Sequence, residues 1–574
     1  MKVETCLPDH NLAQDFGHSF LNCSALFSVA RWLVVSLCIL FLLLPRESHA
    51  QSGPPQPVGK NPSSAPAPST PGSAASSSPA KGANPAAPTH ITPEQARQLF
   101  SSVDSILQFD SKVTGLPVLQ TVKRRLVTRD EVEQYLIHQL KNDRDAKRLQ
   151  SSELVLKKFG LLDRDFQLKP FLLLLLREQI AGYYDDKTKT VNLLDWIPPD
   201  EQKPVLAHEL THALQDQHIH LEKWDRDDDQ SIPRNVKQDN EHIATDENDT
   251  VRDAVVEGQA MAVFIDYALA PSGKTILTAP QLADKMNEAM GDTSDSPTLA
   301  NAPLVLQRSL VFPYIEGLNF VRAVWTAKGK QAAFAEMLDH PPSSTYEIMN
   351  PTAYLTHAPV PLLRMPDIHS LIDPRYRPYD IGVMGEFDVQ VMAELFGGQA
   401  AADALAPAWR GGIYYTAQSK EATTTSAKDS TASLALLYLS RWATPQAALA
   451  FANLYAAEIP RKYDDAVLEP ADDVSAPQGS ITTRTWKTSE GPVLVVVSGK
   501  TVFISESFPV DLARKLQFVM MGSIVDSSTS VAVENRVPQK ELTAAERHLL
   551  FAFLAPKTLA PPRYTNAGSV LTHY

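Results

Sequence analysis

Apolar and polar positions recur with two different periods along this chain, and each change of period marks an element. From Thr92 an apolar stripe of Leu99, Val103 and Ile106 runs at helical spacing. It follows Thr92-Pro93-Glu94-Gln95, which reads as a cap, a proline in the first turn, then helix. Arg129 to Phe159 continues in highly charged helical sequence. The apolar run Phe171 to Leu176 is too short to span a bilayer and reads as a buried helix turn. Gln179 to Leu194 then shifts to two short strands around the turn Asp185-Asp186-Lys187-Thr188. Tyr183 and Tyr184 there either line a sheet edge that binds extended substrate by strand addition, or are ordinary sheet aromatics.

Two long helices follow. In Leu206 to His218, Leu206, Leu210, Ala213 and Gln217 mark one stripe, mainly apolar, while His208, His212 and Asp216 mark a polar one. Pro204 fits the first turn of this helix, where no donor is lost. Asp249 to Ala270 is the second helix, with Val251, Val255, Ala262 and Ile265 on one side. Between them, Asp225 to Asp249 is acidic and rich in breakers, and reads as a solvated loop or lid. Asp225, Asp227 and Asp229 have the spacing that opens a calcium loop. Gln230 stands where that loop needs Gly and Val236 where it needs Glu, so that loop type is rejected.

From about Asp380 the texture changes. Val389 to Ala406 reads as helix, Gly411 to Gln418 and Ala432 to Tyr438 as strands, and Pro445 to Ile459 as an Ala-rich helix. Ile481 to Lys487, Pro492 to Ser498 and Thr501 to Glu506 are strands, the last two joined at Gly499-Lys500; Pro509 to Met521 and Glu541 to Ala555 are helices. The expected fold class is α+β. A mainly helical domain with a small antiparallel sheet occupies residues 91–380, and an α+β domain with an antiparallel sheet occupies 381–574.

Composition alters this picture at the N-terminus. The chain of 574 residues is 44% hydrophobic and 21% charged, as a multidomain globular protein is. Its net charge of −13 argues against non-specific nucleic-acid binding. Residues 1–50 read as an export signal: Arg31, the apolar run Trp32 to Leu44, then Ser48-His49-Ala50 with small residues where a signal peptidase reads. The segment is either cleaved after Ala50 or retained as a membrane tether through residues 32–44, so the folded part is expected outside the cytoplasm, secreted or periplasmic. Cys6, Cys23 and Cys38 all lie in this segment, so a chain cleaved there has no disulfide framework. Residues 51–90, almost all Pro, Ser, Ala and Gly, read as a disordered linker.

The chemistry concentrates in His208-Glu209-Leu210-Thr211-His212. Residues four apart share a helix face, so both imidazoles can aim at one zinc ion, with Glu209 beside them as general base toward a water in the open coordination position. A third ligand is needed, and two candidates compete. His218 has the spacing of a class in which a Gly turns the chain sharply, but Gln215 stands at that position in an unbroken helix. Glu257 lies inside the apolar second helix, where a buried carboxylate needs a partner such as a dication. Beside it, Gly258 points to another backbone passing close, with the motif helix the obvious neighbour. Asp253, one turn earlier, is placed to hydrogen-bond a ligand imidazole.

The stretches AGYYDDKTKT (181–190), LAHELTHALQDQH (206–218), VVEGQA (255–260), VFPYIEGLNFVRAV (311–324) and PPSSTYEIMNPTAY (341–354) resemble, in order and spacing, a family of exported bacterial zinc metallopeptidases of the gluzincin type, the broad group that includes thermolysin. The resemblance covers roughly residues 170 to 360, with a weaker similarity around Trp409-Arg410-Gly411-Gly412. It implies a zincin-like domain with zinc ligands at His208, His212 and Glu257 and the base at Glu209. One departure is Met261, where thermolysin-like helices carry an Asp four residues after the third ligand. Tyr314 is a candidate donor to a developing oxyanion, or a core tyrosine; His340 and His357 are lesser candidates.

The expected function is hydrolysis of peptide bonds in a protein or peptide substrate. Two other readings stay open: a non-catalytic envelope binding or scaffold protein whose zinc site is structural or vestigial, and a zinc hydrolase for a non-peptide bond.

Overall fold

The computed structural model describes residues 90–140, 143–179, 182–224, 232–282, 284–285, 296–470 and 482–528. The export signal, the linker up to residue 89 and the helix expected at Glu541 to Ala555 lie outside the described residues. Among those described, no helix is long and apolar enough to cross a membrane.

Helix α1 (Pro93–Thr114) opens with a reciprocal cap: Thr92 Oγ1 accepts from Gln95 N–H, and Gln95 Oε1 accepts from Thr92 N–H. After β1 (Lys123–Val127) come α2 (Arg129–Leu140), α3 (Asp143–Phe159) and α4 (Leu168–Gln179), in which Leu172 and Leu175 are buried. Strands β2 (Tyr183–Asp185) and β3 (Thr190–Leu194) form the expected hairpin. Their sheet corrects one expectation. It is mixed, in the order β1-β3-β2, because β1 pairs with β3 in parallel. The five residues of β1, Lys-Arg-Arg-Leu-Val, hide that strand in the sequence, since three of them are charged and only Val127 is buried.

Helix α5 (Pro199–Ile219) carries the histidine motif and starts earlier than expected. Pro199, not Pro204, occupies its first turn, and Pro204 lies inside it. Buried Gln202 explains the early start. It accepts from Leu194 N–H at 3.0 Å and donates to Leu194 O and Ile197 O, lashing the first turns to the end of β3.

Residues 236–245, expected as loop, form α6 (Val236–Thr245) instead. Asn235 caps it by accepting from Lys237 and Gln238 N–H, and its buried Asp239 pairs with His369 at 2.9 Å. Polar composition concealed a helix whose inner face is held partly by an ion pair. Helix α7 (Asn248–Leu269) is buried almost throughout, as a helix at the centre of a core is, and α8 (Leu304–Lys328) packs along it.

Strand β4 (Tyr376–Val383) begins the second sheet, so that sheet takes in residues on both sides of the expected boundary at 380. The helical stretch expected at 389–406 is split into α9 (Glu386–Gly397) and α10 (Gln399–Leu405) by Gly398, whose φ of +80° interrupts the helix. Then follow β5 (Trp409–Ser419), β6 (Leu434–Trp442), α11 (Pro445–Lys462), β7 (Val467–Leu468), β8 (Thr482–Thr488), β9 (Gly491–Ser498), β10 (Thr501–Glu506) and α12 (Val510–Ser528). The seven strands are antiparallel in the order β4-β5-β6-β10-β9-β8-β7.

Alternation along the strands fills two cores. Tyr414, Leu436, Tyr438 and Val495 face one side, with Phe451 and Tyr455 of α11, and this core runs on through α5 and α7. Tyr415, Leu437, Leu439 and Val496 face the other, with Leu512 and Leu516 of α12 and Ile243 of α6. Because both faces are covered, β6 reads as a continuous apolar run.

Charges also join the layers. Lys158 of α3 is fully buried, and its Nζ donates to Glu490 Oε2 at 3.0 Å, Ser507 Oγ at 2.7 Å and Thr431 O at 3.2 Å. Lys462 and the hydroxyls of Tyr455 and Tyr463 converge on buried Glu506 close by.

Candidate metal centre

Helices α5 and α7 bring three side chains together. His208 and His212, one turn apart on α5, hold their Nε2 atoms 3.1 Å from each other. Glu257 of α7 places Oε2 3.1 Å from His208 Nε2 and 3.4 Å from His212 Nε2. All three residues are buried, and as a group they can hold a metal ion. The spacing fits one. Ligand atoms about 2.0–2.1 Å from a tetrahedral ion lie about 3.3 Å apart, and the three separations bracket that edge. Glu257 Oε1 is also buried with no hydrogen-bond partner among the described residues, an anionic atom that a cation would compensate. Burial alone pushes the Glu257 carboxyl up, but the His212 and His208 rings outweigh it and hold the group well below the usual carboxylate range.

Glu209, beside the first histidine, is 5% exposed and accepts the Tyr184 backbone N–H on Oε2 at 2.8 Å. Burial raises its pKa, offset in part by His208 and His212, which moves the carboxylate toward the range useful for a general base. Strand β2 is an edge strand of its sheet, and this amide points out of the sheet and toward the motif helix. The tyrosine side chains themselves do not line that edge. Tyr183 is buried and stacks on Tyr135 at 5.0 Å between centroids, while Tyr184 OH donates to Asp216 Oδ2 at 2.8 Å. Asp216 also accepts from Lys189 Nζ and from Leu221 N–H, pinning the β2–β3 hairpin to the end of α5.

His218, the competing ligand, sits away from the group. The helix runs unbroken past Gln215, so His218 Nε2 pairs with Asp339 Oδ1 at 3.0 Å at the end of α5. Asp253 is buried one turn before Glu257. His212 Nδ1 bonds Gln215 Oε1 at 2.8 Å, and His208 Nδ1 has no hydrogen-bond partner among the described residues. Tyr314 is fully buried, its ring nearly parallel to that of His208 at 18° and 6.3 Å. His340 and His357 are exposed at helix ends and do not join the group.

Gly258 does mark a close backbone approach, but to α8 and not to the motif helix. A Cβ there would lie 2.3 Å from the carbonyl carbon and oxygen of Gly317, and a Cβ on Gly317 would lie 2.1 Å from Ala254 O. Neither glycine could be matched with the other from sequence, though Gly317 stands in a quoted stretch. Glu247 is a further residue the sequence did not single out. Buried just before α7, it accepts from Ser344 Oγ, Thr345 N–H and Thr345 Oγ1, tying the start of the helix that carries Glu257 to residues 344–345.

Comparison of the chain with family models, curated proteins and solved structures found no match. The reading of this centre therefore rests on its own residues.

Proposed function

We propose that this chain is a zinc-dependent metallopeptidase with a zincin-like, gluzincin-type site, acting outside the cytoplasm on protein or peptide substrates. The observation that carries this reading is the triangle of His208 Nε2, His212 Nε2 and Glu257 Oε2 with Glu209 alongside. A divalent ion held by those three would polarise a carbonyl oxygen and make a water more acidic. Glu209 then takes a proton from the attacking water and returns it to the leaving amine as the carbon–nitrogen bond breaks. The Tyr184 N–H keeps that carboxylate in place until it acts. The signal-like N-terminus supports export.

One observation favours a second reading. His208, Glu209, His212 and Glu257 are all buried, as in a structural site of a non-catalytic envelope protein. The purified protein separates the two: measured zinc content, then cleavage of an unfolded protein with and without a chelator. Bound zinc with chelator-sensitive cleavage supports the peptidase; bound zinc without cleavage supports the scaffold.

A further inference from the structure

We infer that Gln215, backed by Gln259, is a positioning pair that decides which nitrogen of His212 carries its proton. Ala333 and Phe334, in a single π-helical turn (Ala332–Glu336), present backbone carbonyls to Gln259 Nε2 at 2.8 and 3.1 Å. A carbonyl only accepts, so this end of Gln259 is its NH2 and the other end is its oxygen. That oxygen receives Gln215 Nε2 at 2.9 Å, and the same nitrogen donates to Val256 O at 3.0 Å. Both protons of Gln215 are thereby used on acceptors, and its Oε1 is left facing His212 Nδ1 at 2.8 Å. Oxygen against Nδ1 requires the proton on Nδ1.

Amide orientation is ordinarily a matter of assignment. Here turning either amide would set oxygen against carbonyl oxygen, and both glutamines are fully buried. The neutral ring therefore keeps its lone pair on Nε2, the atom that faces His208 and Glu257. The chain of bonds runs from α8's neighbouring turn through α7 to α5, so it also fixes how the helix bearing Glu257 sits against the helix bearing the histidines. Gln215 and Gln259 touch no reacting atom. They act through His212, and this extends the proposed metal site to the residues that prepare it.

The inference rests on that reading only for its effect on metal affinity; the tautomer is readable without metal. In chelator-treated protein with 15N-labelled histidine, long-range 1H–15N spectra should show His212, assigned with His212→Gln, as the Nδ1–H tautomer. The Nε2–H form in the wild-type protein would overturn the inference. In Gln215→Met that preference should be lost, and zinc affinity, by competition with a chromophoric chelator, should fall about 10–100-fold. An unchanged tautomer and unchanged affinity in a folded Gln215→Met protein would also overturn it. If that variant does not fold, the wild-type spectrum decides. A wild-type protein with the Nδ1–H tautomer and no zinc affinity would sink the metal reading and leave the positioning role standing.

Discussion

Tyr184 holds Asp216 and Glu209 at once: its hydroxyl donates to the Asp216 carboxylate at 2.8 Å while its backbone N–H donates to the Glu209 carboxylate at the same distance. The hairpin is thus registered against both ends of the motif. Tyr184→Phe removes one donor from a buried anion, so we expect a loss of about 1–3 kcal/mol in urea unfolding. Peptidase turnover should change little, because the variant keeps the backbone N–H that holds Glu209. A variant as stable as wild type would show that Lys189 and Leu221 suffice for Asp216.

Glu209→Gln keeps an oxygen for the Tyr184 N–H and leaves the three ligand atoms untouched. Zinc content should stay at the wild-type level while turnover drops at least about 10²-fold, the usual share of a general base. Retained activity would end the role assigned to Glu209.

Glu257→Ala removes the carboxylate between the two imidazoles. Zinc per chain, measured by elemental analysis after dialysis, should fall well below that of wild type. His218→Ala should leave it unchanged, because that side chain pairs with Asp339. Equal loss in both variants would return His218 to the ligand set.

An ordinary Gly→Ala change inside a helix stabilises by about 1 kcal/mol. At Gly258 the sign reverses, since the new methyl meets the Gly317 carbonyl at 2.3 Å and backbone cannot give as a side chain can. Gly258→Ala should cost about 3 kcal/mol or more, read from the shift in denaturation midpoint, and should weaken zinc binding by moving the neighbouring Glu257.

Glu386 supplies a pH signature. It opens α9, where a helix N-terminus favours a carboxylate, yet burial wins and pushes its pKa up to about 7. Unfolded, it ionises at about 4.3, so between these values the folded chain holds the extra proton. Its contribution to stability is therefore full at acid pH and is lost as pH rises through that window. Glu386→Gln retains an acceptor for Asn350 and should be more stable than wild type by on the order of 3 kcal/mol at pH 8, with little gain near pH 4. A pH-independent difference in melting temperature would refute this.

Much of the fold was legible where one residue type dominates one period. The cap at Thr92, the hairpin at Asp185 to Thr188, the motif helix and five of the seven strands of the second sheet follow from local pattern, while β4 and β7 do not. Residues that owe their place to a distant partner were not legible. Strand β1 looks like a charged linker because β3 supplies its hydrogen bonds, and α6 looks like a loop because His369, far along the chain, completes its buried Asp239. The same holds at the candidate metal centre. Spacing named His208, Glu209 and His212, and a carboxylate in an apolar helix named Glu257. Gln215 drew notice only as a missing glycine, since its value lies in Gln259 and Val256, which no period connects to it.

The buried ammonium of Lys158 finds its counter-charge in Glu490, three hundred residues downstream by sequence order and in the other layer of the molecule. A fragment ending before β4 would keep the two helices of the candidate metal centre but lose Thr431, Glu490 and Ser507, which take the hydrogen bonds of that cation, and a fragment beginning at β4 would leave Glu490 without Lys158 and Arg164. Truncation is thus a poor route to a minimal active unit in this protein; the sheet that contributes no ligand is nonetheless the lid on the charge that the helical half cannot bury alone.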